Sequence, residues 1–134
     1  MNVSETYITI NTDEPETLVA FYRDTVGLEP QPDMGPHALK LGPSAVLWFD
    51  SHVDTSGENR EPSRVLLSLA VDDAKAERER MESAGARFIR KEGTEFWGGI
   101  ISTFIDPDGN YGQLIQYDPA LDQTKQPVAA GAQG

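Results

Sequence analysis

A period-two alternation opens the ordered part of the chain. From Tyr7 to Asn11, Ile8 and Ile10 share one side of an extended backbone, and Tyr7, Thr9 and Asn11 share the other. The pattern returns after the chain midpoint, where Leu67, Leu69 and Val71 point one way and Leu66, Ser68 and Ala70 the other. Each alternation runs into acidic residues, Asp13 or Asp72–Asp73, and then into a helical stretch closed by Gly27 or Gly85. Asp13 and Glu16 have capping-box spacing, and Pro15 suits a first turn. Leu18, Phe21, Tyr22 and Val26 then form one apolar stripe. The second helix has little more than Met81 and Ala84 as apolar anchors among charged residues, so it is expected to lie along the surface.

Short strand-like runs follow each helix. They are His37–Leu41 and Ala45–Phe49 in the first half, then Arg87–Arg90, Gly99–Ile105 and Tyr111–Tyr117 in the second. The last two are joined by Asp106-Pro107-Asp108-Gly109-Asn110, a tight-turn sequence. The second half therefore reads strand, helix, strand, strand, strand. The first has the same order with a poorly marked second strand near Leu28–Pro32. A polar, turn-rich stretch over residues 51–64 has no repeating apolar set, and the sequence beyond Asp118 is small and polar. We therefore expect a single domain over residues 1–118. Its first module spans about 5–50, its linker about 51–64 and its second module about 65–118, and a flexible tail follows over 119–134.

Composition narrows the chemistry. The 134 residues suit one domain, and the absence of cysteine removes disulfides, thiolate metal sites and cysteine nucleophiles. Eleven basic residues face 22 acidic ones, a net charge of −11 that disfavours nucleic acid and anionic lipid as partners. With no long apolar run and no basic-then-apolar N-terminus, the chain reads as soluble and cytoplasmic, with no membrane partner. No Walker loop, GxSxG elbow, HExxH helix or GxGxxG segment is present. Asp106, Asp108 and Asn110 echo a calcium loop, but Tyr111 stands where such a loop needs glycine and Tyr117 where it needs glutamate.

The repeated strand–helix–strands pattern, Phe21-Tyr22 near the end of the first helix and FIDPDGNYGQLIQ near the end of the second half are together distinctive. Over Thr6 to Asp118 the chain resembles the glyoxalase/bleomycin-resistance/extradiol-dioxygenase (vicinal oxygen chelate) superfamily. The resemblance implies an α+β fold of two βαβββ modules forming an open, curled mixed sheet with helices outside and a pocket within. It also implies a homodimer, paired edge to edge or by module exchange. The superfamily's metal-ligand positions fall at Tyr7 (Thr6 with a one-residue offset), Leu66 and Gln113. That set is not expected to hold a divalent ion, because leucine offers no lone pair. No metal and no cofactor are expected.

The alternation places Tyr7, Thr9, Leu66, Ser68 and Gln113 toward the interior as candidate ligand-binding residues, with Trp48 and Trp97 as walls for stacking a flat ligand. For both tryptophans, core packing is the competing reading. Glu95 and His37 are weak acid–base candidates against the plainer reading of surface residues, and His52 reads as a solvated loop residue. Two functions follow. One is a metal-independent binding protein sequestering an apolar or aromatic metabolite or antibiotic, as drug-resistance members of the superfamily do. The other is a metal-independent isomerase, lyase or cyclase acting on a hydrophobic metabolite in the same pocket.

Overall fold

The computed structural model describes residues 1–125; residues 126–134, which include most of the expected tail, lie outside the described residues. Strand β1 (Thr6–Asn11) leads into helix α1 (Pro15–Ala20), which widens into a π-helical turn over Phe21–Val26. Strands β2 (Ala38–Leu41) and β3 (Ala45–Asp50) complete the first half. The second half contains β4 (Leu67–Ala70), α2 (Ala74–Ser83), β5 (Arg87–Thr94), β6 (Trp97–Ile105) and β7 (Tyr111–Asp122).

These elements form two open mixed sheets in an α+β arrangement, ordered β1-β3-β2 and β4-β7-β6-β5. In each sheet the first strand pairs parallel with the last strand of its own half, and the remaining pairs are antiparallel. The strand expected near Leu28–Pro32 is reduced to a single bridge between Pro30 and Leu39. Pro30 and Pro32 have no backbone N–H to give a ladder, which explains the loss. At the other end, β7 continues to Asp122, past the expected boundary at Asp118, because Trp97 pairs with Asp122 and the Gln123 amide reaches the Phe96 carbonyl at 2.8 Å.

Local signals explain most element ends. Gly27 (φ 96°) and Gly85 (φ 101°) adopt the left-handed conformation that stops a helix. Asp73 caps α2, its carboxylate accepting from the Ala76 amide at 2.9 Å. The expected capping box on α1 is absent. Thr12 Oγ1 accepts from the Glu14 amide at 3.0 Å, and the Asp13 carboxylate instead accepts from the Gly57 amide at 2.6 Å. The stretch read as a loose linker is thereby tied down. Ala84 is exposed, so the buried anchors of α2 are Ala74 and Met81.

One hydrophobic core spans both halves. It joins Leu18, Tyr22, Leu39, Leu47 and Phe49 to Ala74, Met81, Phe104 and Leu114. The widened turn brings two adjacent rings, Phe21 and Tyr22, onto Phe104 at centroid distances of 6.0 and 6.2 Å. Full burial of side chains this large stabilises by roughly 1.5–3 kcal/mol each. With the core formed by helix residues packed on one face of each sheet, each sheet has its other face left for other purposes.

Candidate functional site

The non-core face of the first sheet carries three of the expected residues. Thr9 is the register partner of Trp48, and Tyr7 lies two residues from Thr9 on the same side. Leu39, Leu47 and Phe49 face the core. The Tyr7 ring meets Trp48 edge to face, with centroids 6.4 Å apart, and is 52% exposed. Its hydroxyl donates to Glu5 Oε2 at 2.7 Å, and this bond, reinforced by the carboxylate charge, pushes the phenol above its ordinary pKa.

The second sheet repeats the arrangement. Ser68 pairs in register with Gln113, and the Ser68 hydroxyl donates to Gln113 Oε1 at 3.1 Å. Trp97 is packed rather than free. Its indole fills the space that a Cβ on Gly99 would need, and Gly98 (φ 90°) is pressed against the Asp118 carbonyl and Asp122. The Arg90 guanidinium covers Gly93 in the same way. By register, Gly93, Gly99 and Ile101 share a face, so Trp97 and Arg90 flank the buried Ile101. Glu95 accepts from Arg90 Nη2 at 2.7 Å, which employs its carboxylate in an ion pair. His37, just ahead of β2, has its Nε2 3.7 Å from the exposed Glu16 carboxylate.

The hollows lie between the sheets' outer edges rather than on their faces. β1 and β4 are each outermost in their sheet, and two cavities share Ile8, Leu66 and Leu67 as a common partition. The larger, about 730 Å³, is lined chiefly by apolar residues, among them Leu28, Leu41, Leu69 and Val71, and it reaches Ser68. The smaller, about 420 Å³, contains Thr9 and is walled by linker residues Thr55–Asn59 and the β6–β7 turn. Of the expected residues, Leu66 lines both, Thr9 the smaller and Ser68 the larger. Tyr7, Trp48, Trp97 and Gln113 line neither, so Tyr7, Leu66 and Gln113 are not gathered in one chamber.

Sequence reasoning set Ile8 beside Ile10 on one side of β1 and read residues 51–64 only as a linker. Ile8 is partly exposed and lines both cavities because its strand is an edge. No periodicity marks Glu58 or Asn59. The nearest signal is Asp13, an acid ahead of a helix that does not cap it.

The donor set does not fit the divalent ion used by some members of the superfamily. Leu66 has no lone pair, Tyr7 is committed to Glu5 and Gln113 to Ser68. Among the described residues, no group of three or more histidine, aspartate or glutamate side chains converges to hold a metal. Nor, among them, is any helix long and apolar enough to cross a membrane.

Solved structures share this architecture. TnmS3, an antibiotic binding protein from Streptomyces sp. CB03234, is 26% identical with a TM-score of 0.67, over 88% of this chain and 99% of that one. A glyoxalase/bleomycin resistance protein from the same organism is 27% identical with a TM-score of 0.61, over 84% of this chain and all (100%) of that one. A superfamily member from Sphaerobacter thermophilus DSM 20745, 20% identical over 86% of this chain and 98% of that one, shares the fold with a TM-score of 0.67. Comparison with curated proteins finds no match. A family model described as Glyoxalase-like domain matches residues 7–115, which take in most of both sheets and the lining of both cavities, and on that match the chain belongs to the glyoxalase-like family.

Proposed function

We propose that the chain is a metal-independent, cytoplasmic small-molecule binding protein that sequesters an apolar or aromatic metabolite or antibiotic. The observation that carries this reading is the cavity of about 730 Å³ between β1 and β4. Its size, mostly apolar walls and two polar lining residues, Ser68 and Glu77, have the character of a ligand pocket. Similarity to an antibiotic binding protein at 26% identity supports an antibiotic as the ligand class. Binding is favoured over an isomerase, lyase or cyclase because neither Glu95 nor His37 lines the cavity. Within this proposal the protein acts as a homodimer. The Tyr7–Trp48 face, where Tyr7 is exposed, is the surface that a second copy would cover.

The test is a thermal-shift screen of purified protein against planar aromatic metabolites and antibiotics, with and without a chelator. A ligand that raises the melting temperature, survives long incubation unchanged and is indifferent to chelator is the expected result. Ala70→Phe, which fills the larger cavity, is expected to remove the shift. A new product, or loss of binding on chelation, overturns the reading.

A further inference from the structure

Among the described residues, only two side chains lining the larger cavity carry polar atoms, Ser68 on β4 and Glu77 on α2. Each is already engaged, and that engagement fixes what it can still offer a ligand. The Ser68 hydroxyl donates its one proton to Gln113 Oε1 at 3.1 Å, so its oxygen presents lone pairs alone. Glu77, as a carboxylate, accepts and does not donate. The side chains of this cavity therefore offer acceptors and no free donor.

The charge on Glu77 has a fixed counterpart. Arg80 donates to Glu77 Oε2 from Nε at 3.0 Å and from Nη2 at 2.7 Å. The same guanidinium donates from Nη1 to the Thr25 carbonyl at 3.1 Å and from Nη2 to the Val26 carbonyl at 2.7 Å. It also lies 3.5 Å from the place that a Cβ on Gly27 would take. Val26 and Gly27 line the cavity, and Arg80 does not. Arg80 thus fastens α2 to the end of the first half's helix, and it sets a positive charge against the one acid in the cavity wall.

We propose that the larger cavity takes an uncharged aromatic molecule bearing a hydrogen-bond donor, a phenolic hydroxyl or a ring N–H, which donates to Ser68 Oγ. Arg80 is a positioning residue, holding Glu77 at the wall and cancelling its pull on cations. This rests on the binding reading above and narrows its ligand class. A molecule that can only accept, such as an ether, finds no partner on these side chains. An anion meets Glu77, the overall charge of −11 and no lysine, arginine or histidine in the wall. A cation finds the Glu77 carboxylate already balanced, and a half-exposed acid with its partner in place adds little to binding.

Naphthalene probes of similar size separate the possibilities by fluorescence titration at neutral pH: 2-naphthol (neutral donor), 2-methoxynaphthalene (neutral acceptor), 2-naphthoate (anion) and 2-naphthylmethylammonium (cation). 2-Naphthol is expected to bind the native protein about threefold to tenfold more tightly than 2-methoxynaphthalene, the effect of one hydrogen bond, and 2-naphthoate the most weakly. Ser68→Ala should bring 2-naphthol down to the level of 2-methoxynaphthalene and leave the latter unchanged, at an unaltered melting temperature. Arg80→Gln should strengthen binding of the cation severalfold at low salt, a gain that shrinks as salt rises. Arg80→Lys, which keeps the charge, should behave as the native protein. Arg23→Gln, an equal charge change at an exposed ion pair outside the cavity, should leave the cation unaffected. Equal binding of 2-naphthol and 2-methoxynaphthalene, or a preference that survives Ser68→Ala, overturns the donor assignment while the binding reading stands. No gain with Arg80→Gln, or the same gain with Arg23→Gln, overturns the role of Arg80. If no probe binds, this inference and the binding reading both fail.

Discussion

The Tyr22 hydroxyl donates a 2.8 Å hydrogen bond to Asp106 Oδ2 across 84 residues of chain, joining the first half's helix to the second half's turn. Both groups are buried, and Asp106 also accepts from the Asn110 and Asp108 amides and from Asn110 Nδ2, each at 2.9 Å. Burial pushes the Tyr22 phenol far above its ordinary range, with the neighbouring carboxylate adding to it. Burial also raises Asp106, against the pull of its donors.

Tyr22→Phe leaves that carboxylate short of one donor without emptying the core. We expect a loss of about 1–3 kcal/mol in urea unfolding at neutral pH. The phenol's folded pKa lies above its unfolded value of 10.0, so its contribution is complete below that pH and fades as pH rises beyond it. The native protein should therefore lose stability above pH 10 more steeply than the phenylalanine variant.

Acid acts elsewhere. Glu92 accepts from Arg78, which also pairs with Glu82, and it takes a 2.8 Å bond from the Ser102 hydroxyl. The hydrogen bond to Arg78 is the largest cause holding Glu92 below its usual value of 4.5. A depressed carboxylate contributes stability above its unfolded value and loses it as pH falls through the folded one. Glu92→Gln is expected to flatten the stability curve below pH 4.5, as read by thermal unfolding across pH.

Freeing the linker is expected to be a local event. Asp13→Ala removes the acceptor for the Gly57 amide, which is exposed, so global stability should fall by less than about 1 kcal/mol. Trypsin cleavage at Arg60 and Arg64 should nevertheless accelerate several-fold. Unchanged cleavage would show that Asn59 alone holds the segment.

Gly99→Ala places a methyl group inside the position of the Trp97 indole. We expect the ring to swing out, at a cost of about 1–3 kcal/mol. In a Trp48→Phe background, which leaves Trp97 as the sole tryptophan, its emission should shift to the red.

Elements written in local chemistry were legible in the sequence. The alternations at Tyr7–Asn11 and Leu66–Ala70 assigned the correct faces of β1 and β4 for Thr9, Ser68, Ile10 and Leu69, and Gly27 and Gly85 marked the helix ends. The pairing of Ser68 with Gln113 was not legible there, because it depends on the parallel register of β4 against β7. What stayed hidden depends on distant partners. Asp13 has every local reason to cap α1, yet it serves Gly57, 44 residues away. Residues 119–122 look like a tail because their strand is sustained by Trp97 and Phe96, not by their own pattern. The cavities escaped for a similar reason. They form where two sheet edges face each other, and alternation describes faces.

The core shared between the two halves has a consequence for how such a molecule can be divided. Phe104 is covered from one side by Tyr22, and Tyr22 and Leu18 of the first half share one core with Phe104 and Leu114 of the second. A gene split at Ser56 would yield two fragments that each display an oily surface, insoluble alone and restored to order on mixing. By the same logic, either half alone would need a second apolar surface to bury its share of that core, and the covalent link supplies one at no dependence on concentration.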